Sequence, residues 1–235
     1  MLAFNNLLNN FWKLIPIFCL FVFISPLIFV LGSLLGEFND NWSHLIEYVL
    51  PSYVSNSLIL IVGVSILSLI LGVGTAWFVT NFDFFGKSWL EWAIILPLAI
   101  PPYILAYTFT GLFDSYGSAN EIVRYLFNLE SGFIFFPNVR NIYGAIVVFS
   151  FTLYPYVYLT TRMAFLNQSR SLMEAGKLLG SSTRLLFFRL AVPLVRPAII
   201  AGLALVIMET LSDFGAVDHF AIQTFTTGIF RTWYG

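Results

Sequence analysis

Five apolar runs, separated by short polar interruptions, organise the chain: residues 12–35, 53–79, 89–113, 142–163 and 190–211. Crossing a hydrocarbon core ~30 Å thick takes about 20 helical residues, so each run is long enough to span a membrane. The pattern predicts an all-α, polytopic bundle of transmembrane helices. The first run is broken only by Lys13 near its start, and it exceeds the roughly 7–15 apolar residues of a cleaved leader, so it reads as a span. Gly32 and Gly36 within and just beyond it are spaced for close helix approach. The third run carries Pro97, Pro101 and Pro102. Each proline removes a backbone donor, so this span is expected to be broken and packed inside the bundle, with neighbouring helices or water satisfying the freed carbonyls. In the fourth run Pro155 lies among Tyr154, Tyr156 and Tyr158, which read as interfacial anchors.

The polar segments are uneven in character. Residues 37–52 form an acidic loop with Glu37, Asp40 and Glu47, and residues 81–88 a short turn with Gly86 and Lys87. Residues 114–141 read as a mixed loop, and residues 212–235 as a polar and aromatic tail without another span. The most structured interruption is the loop 164–189. There Ser171-x-x-Glu174 matches a capping box, in which Ser171 caps a helix starting at Leu172 and Glu174 reaches back to the Ser171 amide. Gly180 is placed to end that helix, and Ser181 or Ser182 to cap a second one through residues 185–188. A helix of two turns is too short to persist alone, so it must pack against something. Ala175 and Gly176 leave one face nearly bare, open to close approach by another surface.

Composition supports the membrane reading, with 59% hydrophobic and 10% charged residues against roughly 25% charged in soluble domains. A net charge of −1 offers nothing to nucleic acid, so no such partner is expected. Cys19 is the single cysteine, which excludes an intrachain disulfide. His44 and His219 read as solvated loop histidines, and no metal site is expected. With the N-terminus inside, Lys13, Lys87, Arg162, Arg170, Lys177, Arg184, Arg189 and Arg196 fall on the cytoplasmic side, and Arg124, Arg140 and Arg231 outside. That bias places the loop 164–189 in the cytoplasm and, with five crossings, the two termini on opposite sides. Arg196 is expected to snorkel to the headgroups, and Glu91 to pair with Lys87 at i, i+4.

The segment EAGKLLGSSTRLLFFRLAVPLVRP, residues 174–197, resembles the cytoplasmic EAA loop of ABC importer permeases, whose pattern is E-A-A, three residues, G, nine residues, I-x-L-P. Glu174, Ala175, Gly180 and Pro193 stand at matching positions. Gly176, Leu190 and Val192 depart from it by small changes of size. LPLAIPPYILAY (96–107), LYPYVYL (153–159) and ETLSDFGAVDHFAIQTFTTGIFRTWYG (209–235) are similar to the permeases of ferric iron importers. Relatives for thiamine, polyamines, sulfate and phosphonates share that loop. The resemblance implies a type I-like permease fold, with five spans of a six-span half, and a chain continuing in a longer permease.

The same resemblance implies partners. A separate ATPase dimer, carrying the ATP and Mg²⁺, would dock on the coupling helix through Glu174, Ala175, Gly176 and Gly180, with Ser171 as its cap. A periplasmic binding protein would deliver the cargo, a second permease half would complete the path, and lipid of a bacterial inner membrane would surround it. No phosphate-binding GxxxxGK[ST] loop is present, so no cofactor is expected on this chain and no enzymatic role. Glu209 and Asp213, at and just beyond the outer end of the fifth span, either line the path of a hard cation or pair with neighbouring donors. A secondary transporter would need mid-span coupling-ion sites and internal repeats, which the sequence lacks.

Overall fold

A computed structural model describes residues 2–33, 45–130, 132–136 and 138–234, with side chains described from residue 14 onward except those of Arg170 and Leu172. The readings for Gly36 and His44, and residues 37–44 of the acidic loop, lie outside the described residues; residues 45–52 of that loop are helical and not loop. The chain divides into two compact units, Met1–Val49 and Leu50–Gly235. All regular structure among the described residues is helical.

In the first unit, α1 (Leu2–Ser33) contains the predicted first span, a 20-residue apolar stretch at Leu14–Ser33. Pro26 cannot donate to the Val22 carbonyl one turn back, and the Ser25 hydroxyl donates to that carbonyl instead, at 3.1 Å. Satisfying the freed acceptor inside the helix lets a proline sit within a membrane span.

The second unit is built on α2 (Leu50–Asn81) and α6 (Ile142–Leu166), joined by α9 (Val192–Ser212). Small residues let these helices approach closely, which matters because lipid supplies no hydrophobic drive for helix association. A Cβ at Gly72 of α2 would lie 2.6 Å from Val157 Cβ and 2.9 Å from the Tyr154 carbonyl of α6. At Gly202 of α9 it would lie 2.5 Å from Thr160 Oγ1 and 2.8 Å from Val157 Cα. Val157 is thus clasped from two sides and, with Phe149 and Tyr158, has no solvent exposure.

The proline-rich third span is broken as expected. It comprises α3 (Lys87–Ala93), a 3₁₀ turn (Leu96–Ala99) and α4 (Pro102–Phe113), with a bend of 96° at the break. Glu91 meets Arg162 near the Leu166 end of α6, whereas α4 packs near the Ser212 end of α9 through α10 (Gly215–His219). The bent element therefore passes from one end of the bundle to the other. At the break Ile95 N–H turns to the Trp92 carbonyl and Leu98 N–H to the Ile95 carbonyl, so the Glu91 and Ile94 carbonyls lose their helical donors. Tyr154 Oη donates to Ile94 O at 2.9 Å and Tyr158 Oη to Glu91 O at 3.4 Å. Tyr154 and Tyr158 are therefore internal braces of the broken span and not interfacial anchors.

Four further expectations change. Glu91 pairs with Arg162 at 2.8 Å, and Lys87 with Asp83 at 3.0 Å, because the turn before α3 brings Asp83 one helical turn below Lys87. Residues 114–141 contain α5 (Ser118–Phe127). The tail contains α10 and α11 (Phe225–Tyr234), and α11 packs on the first turns of α2, where Gly228 admits the Tyr53 ring. His219 is no solvated loop residue. It stacks on Tyr107 with ring centroids 4.0 Å apart, and its Nε2 lies 2.7 Å from Thr110 Oγ1. Burial, and Arg140 nearby, lower its pKa. The Thr110 hydroxyl also lies within hydrogen-bonding distance of the Ala106 carbonyl, at 2.9 Å.

Candidate docking site

The loop between α6 and the last span folds as a helix seated on a helix. α7 (Arg170–Leu178) begins two residues before the expected start, with Ser169 at its N-cap and no side-chain capping bond. Ser171 is therefore inside the first turn and not the cap. Its hydroxyl shares a hydrogen bond with the Ser169 hydroxyl, 2.5 Å away.

The other end forms as the sequence suggests. Gly180 has φ +81°, a backbone region that a side chain enters only at a cost. Ser181 N–H bonds to the Gly176 carbonyl at 3.1 Å and Gly180 N–H to the Lys177 carbonyl at 2.9 Å. This paired arrangement satisfies the last carbonyls of the helix and stops it. Ser182 then caps α8 (Thr183–Leu186), its hydroxyl accepting from the Leu185 amide at 3.3 Å.

α8 is not a separate helix before the last span, as its cap had suggested. A π turn (Phe187–Ala191) joins it to α9, giving one 30-residue helix, Thr183–Ser212. The wider turn precedes Pro193, which has no N–H to offer the Arg189 carbonyl. Gln168 Nε2 donates to the Ala191 carbonyl at 3.1 Å, tying the segment before α7 to that region.

Gly176 links the two helices. A Cβ there would lie 2.5 Å from Leu186 Cδ2, so the missing side chain leaves room for Leu186, which is buried. The Ala175–Gly176 surface is thus divided: Gly176 is covered from within the chain, while Ala175 stays exposed. Two leucines at the end of α7 are far more open, Leu178 at 88% and Leu179 at 86% exposure. Glu174 lines a cavity of about 320 Å³ between α7 and the turn before α3, together with Asp83, Lys87, Gln168, Met173 and Lys177.

Glu209 and Asp213 lie at the far end of the bundle. Glu209 is half-buried and lies close to Tyr156 of α6. Asp213 caps α10, Oδ1 accepting from the Ala216 amide at 2.8 Å and the Val217 amide at 3.4 Å. Burial raises its pKa, and those two hydrogen bonds oppose the shift. Asp213 is thus held by backbone amides, and Glu209 lies beside Tyr156. Sequence reasoning missed Leu186, whose role shows only when Gly176 is seen from the side, and Arg162, whose partner is 71 residues away.

Comparison with known proteins agrees with this architecture. The family described as "Binding-protein-dependent transport system inner membrane component" matches residues 68–228. The Fe(3+)-transport system permease protein FbpB 2 of Haemophilus influenzae is 31% identical over 178 residues, 76% of this chain and 31% of that protein. The molybdenum transport system permease protein ModB of the same organism is 30% identical over 169 residues, 72% of this chain and 71% of that protein. A probable sulfate transport system permease protein cysT of Chlorokybus atmophyticus is 28% identical over 207 residues, 88% of this chain and 70% of that protein. The chain thus spans less than a third of the iron permease and about seven-tenths of the other two. In fold it resembles a solved bacterial ABC transporter involved in import of the acidic polysaccharide alginate, with TM-score 0.71 and 16% identity, covering 95% of this chain and 83% of that one.

Proposed function

Because the chain belongs to the family of inner membrane components of binding-protein-dependent transport systems, we propose that it is the permease of an ATP-driven importer. In this reading it lies in a bacterial inner membrane with its N-terminus in the cytoplasm. A separate ATPase dimer, which holds the ATP and Mg²⁺, docks on α7. A periplasmic binding protein delivers cargo to the opposite face, and a second permease half completes the path. The chain itself catalyses no reaction.

The observation that carries this reading is the pairing of an exposed apolar tip with an internal seat. Leu178 and Leu179 face outward at the end of α7, a placement that costs apolar exposure unless a partner covers them. Leu186, locked at Gly176, joins α7 to a helix continuous with the last span. A push on α7 therefore displaces α9 directly and, through the Gly202 contact, α6.

The cargo proposed is a small inorganic ion, and specifically ferric iron. The relatives named above are permeases for Fe(3+), molybdenum and sulfate. Ferric iron is put first because, among the relatives named, the iron permease has the highest identity, 31%. The test is uptake of radiolabelled ferric iron by the permease assembled with its ATPase and binding protein. Excess unlabelled ferric iron is expected to compete, and molybdate, sulfate, thiamine and polyamines are not. Uptake of molybdate or sulfate would replace the cargo; absence of ATP-dependent uptake of any of them would remove the importer reading.

Glu209 and Asp213 are assigned structural roles, as partners of Tyr156 and of the α10 amides. Glu209→Gln, which keeps a hydrogen-bonding group at that position, is expected to leave ferric uptake at low iron within about twofold of the parent, since neutral hydrogen bonds contribute only ~1 kcal/mol. A loss of uptake in a protein that still assembles would place Glu209 in the path.

A further inference from the structure

In the cap after α4 (residues 114–136), Asn120 and Arg124 of α5 turn inward, while Ile122, Tyr125 and Leu126 lie on the exposed face beside Ser118 and Glu121. Asn120, only 1% exposed, is the centre of the cap. Asn120 Nδ2 donates to the Asp114 carbonyl at 2.9 Å, and Oδ1 accepts from the Phe135 and Phe136 amides, each at 3.0 Å. Arg124 Nη1 donates inward to the Ser115 and Phe133 carbonyls, at 3.4 and 3.3 Å. On the opposite face of α5, Ile122, Tyr125 and Leu126 stand at i, i+3 and i+4, with exposures of 56%, 83% and 67%. A water-facing helix keeps such large apolar side chains on its supporting core and its polar ones outside, whereas here two of the polar side chains are turned inward and three large apolar ones outward.

The position of the cap specifies what covers that face. It starts one residue after α4 and ends close to the start of α6, at the end of the bundle opposite α7. The Phe113 and Phe136 rings, 5.0 Å apart, pin it to the end of α4. α5 is thus held beside the ends of two membrane-crossing elements. Its makeup, two aliphatic residues and a tyrosine flanked by Glu121, suits the boundary between headgroups and acyl chains, where tyrosine is enriched and amphipathic helices bury an apolar face about 5–10 Å deep.

We propose that α5 is an interfacial helix seated in the phospholipid headgroup–acyl boundary through Ile122, Tyr125 and Leu126. The bilayer is then a partner of the cap, holding the far end of the bent third span at a fixed depth while its other end moves with Arg162.

Spin labelling tests this directly. Cys19 is the single cysteine, so Cys19→Ser gives a background into which Ile122→Cys, Leu126→Cys and Asn128→Cys are placed one at a time. The full chain, assembled with its partner subunits in phospholipid nanodiscs, is labelled and probed with oxygen, which partitions into lipid, and a water-soluble nickel chelate. Labels at 122 and 126 are expected to show mobile spectra with high oxygen and low nickel accessibility; the label at 128 is expected to be nickel-accessible. High nickel accessibility at 122 and 126 would overturn the proposal by placing the face in water. Immobilised spectra shielded from both reagents would overturn it by showing that a protein surface, a second permease half or a binding protein, covers the face.

Discussion

Replacing Gly72 by valine is expected to leave no assembled bundle, whereas Gly74→Val, two residues along the same helix, is expected to be tolerated. A Cβ at Gly72 meets Val157 Cβ at 2.6 Å and the Tyr154 carbonyl at 2.9 Å, while at Gly74 nothing lies within 4 Å. The first obstacle includes backbone and cannot rotate away. Overpacking a tight interface costs typically ~1–3 kcal/mol, and here moving α6 would also strain the Tyr154 and Tyr158 braces and the Gly202 seat. The measurement is the yield of monodisperse permease after detergent extraction, with its thermal midpoint. Equal yield and midpoint for the two variants would mean that α2 and α6 do not pack through Gly72.

The second large effect concerns function. The double variant Leu178→Asp, Leu179→Asp is expected to lose ATP-driven uptake by at least about tenfold while the permease still inserts and purifies. Both side chains are almost fully exposed, so the fold does not depend on them. Burying an unpaired carboxylate in a partner's apolar pocket costs several kcal/mol, and 1.4 kcal/mol already changes an affinity tenfold. Basal ATP hydrolysis by the isolated ATPase is expected to be unchanged, and its stimulation by cargo-loaded binding protein lost. Uptake at parental rates would show that the tip of α7 lies outside the interface.

Much of this was legible from residue pattern, and the failures share a cause. The spans are visible because apolarity adds up along a run, the break in the third because proline acts on its own turn, and the stop at Gly180 because φ > 0 is a property of one residue. What depends on a neighbour was not visible. Ser171 fits a capping box, but the helix already starts at Arg170, which puts Ser171 inside its first turn. The tyrosines of α6 lie near a span end in sequence, but opposite a broken helix in space. α5 escaped notice because Asn120 and Arg124 serve the inside of a cap while Ile122, Tyr125 and Leu126 lie outside, which blurs the pattern expected of a surface helix. Gly176 was recognised as bare, yet the side chain filling that space belongs to its own chain.

The central claim is that the tip of α7 meets the ATPase. Its most direct test is a photoreactive benzoylphenylalanine placed at Leu179 and, as a control, at Tyr125, in membranes containing the whole importer. On illumination, position 179 is expected to give a covalent adduct with the ATPase subunit, and position 125 none. An ATPase adduct from position 125, or only lipid or binding-protein adducts from position 179, would contradict the account.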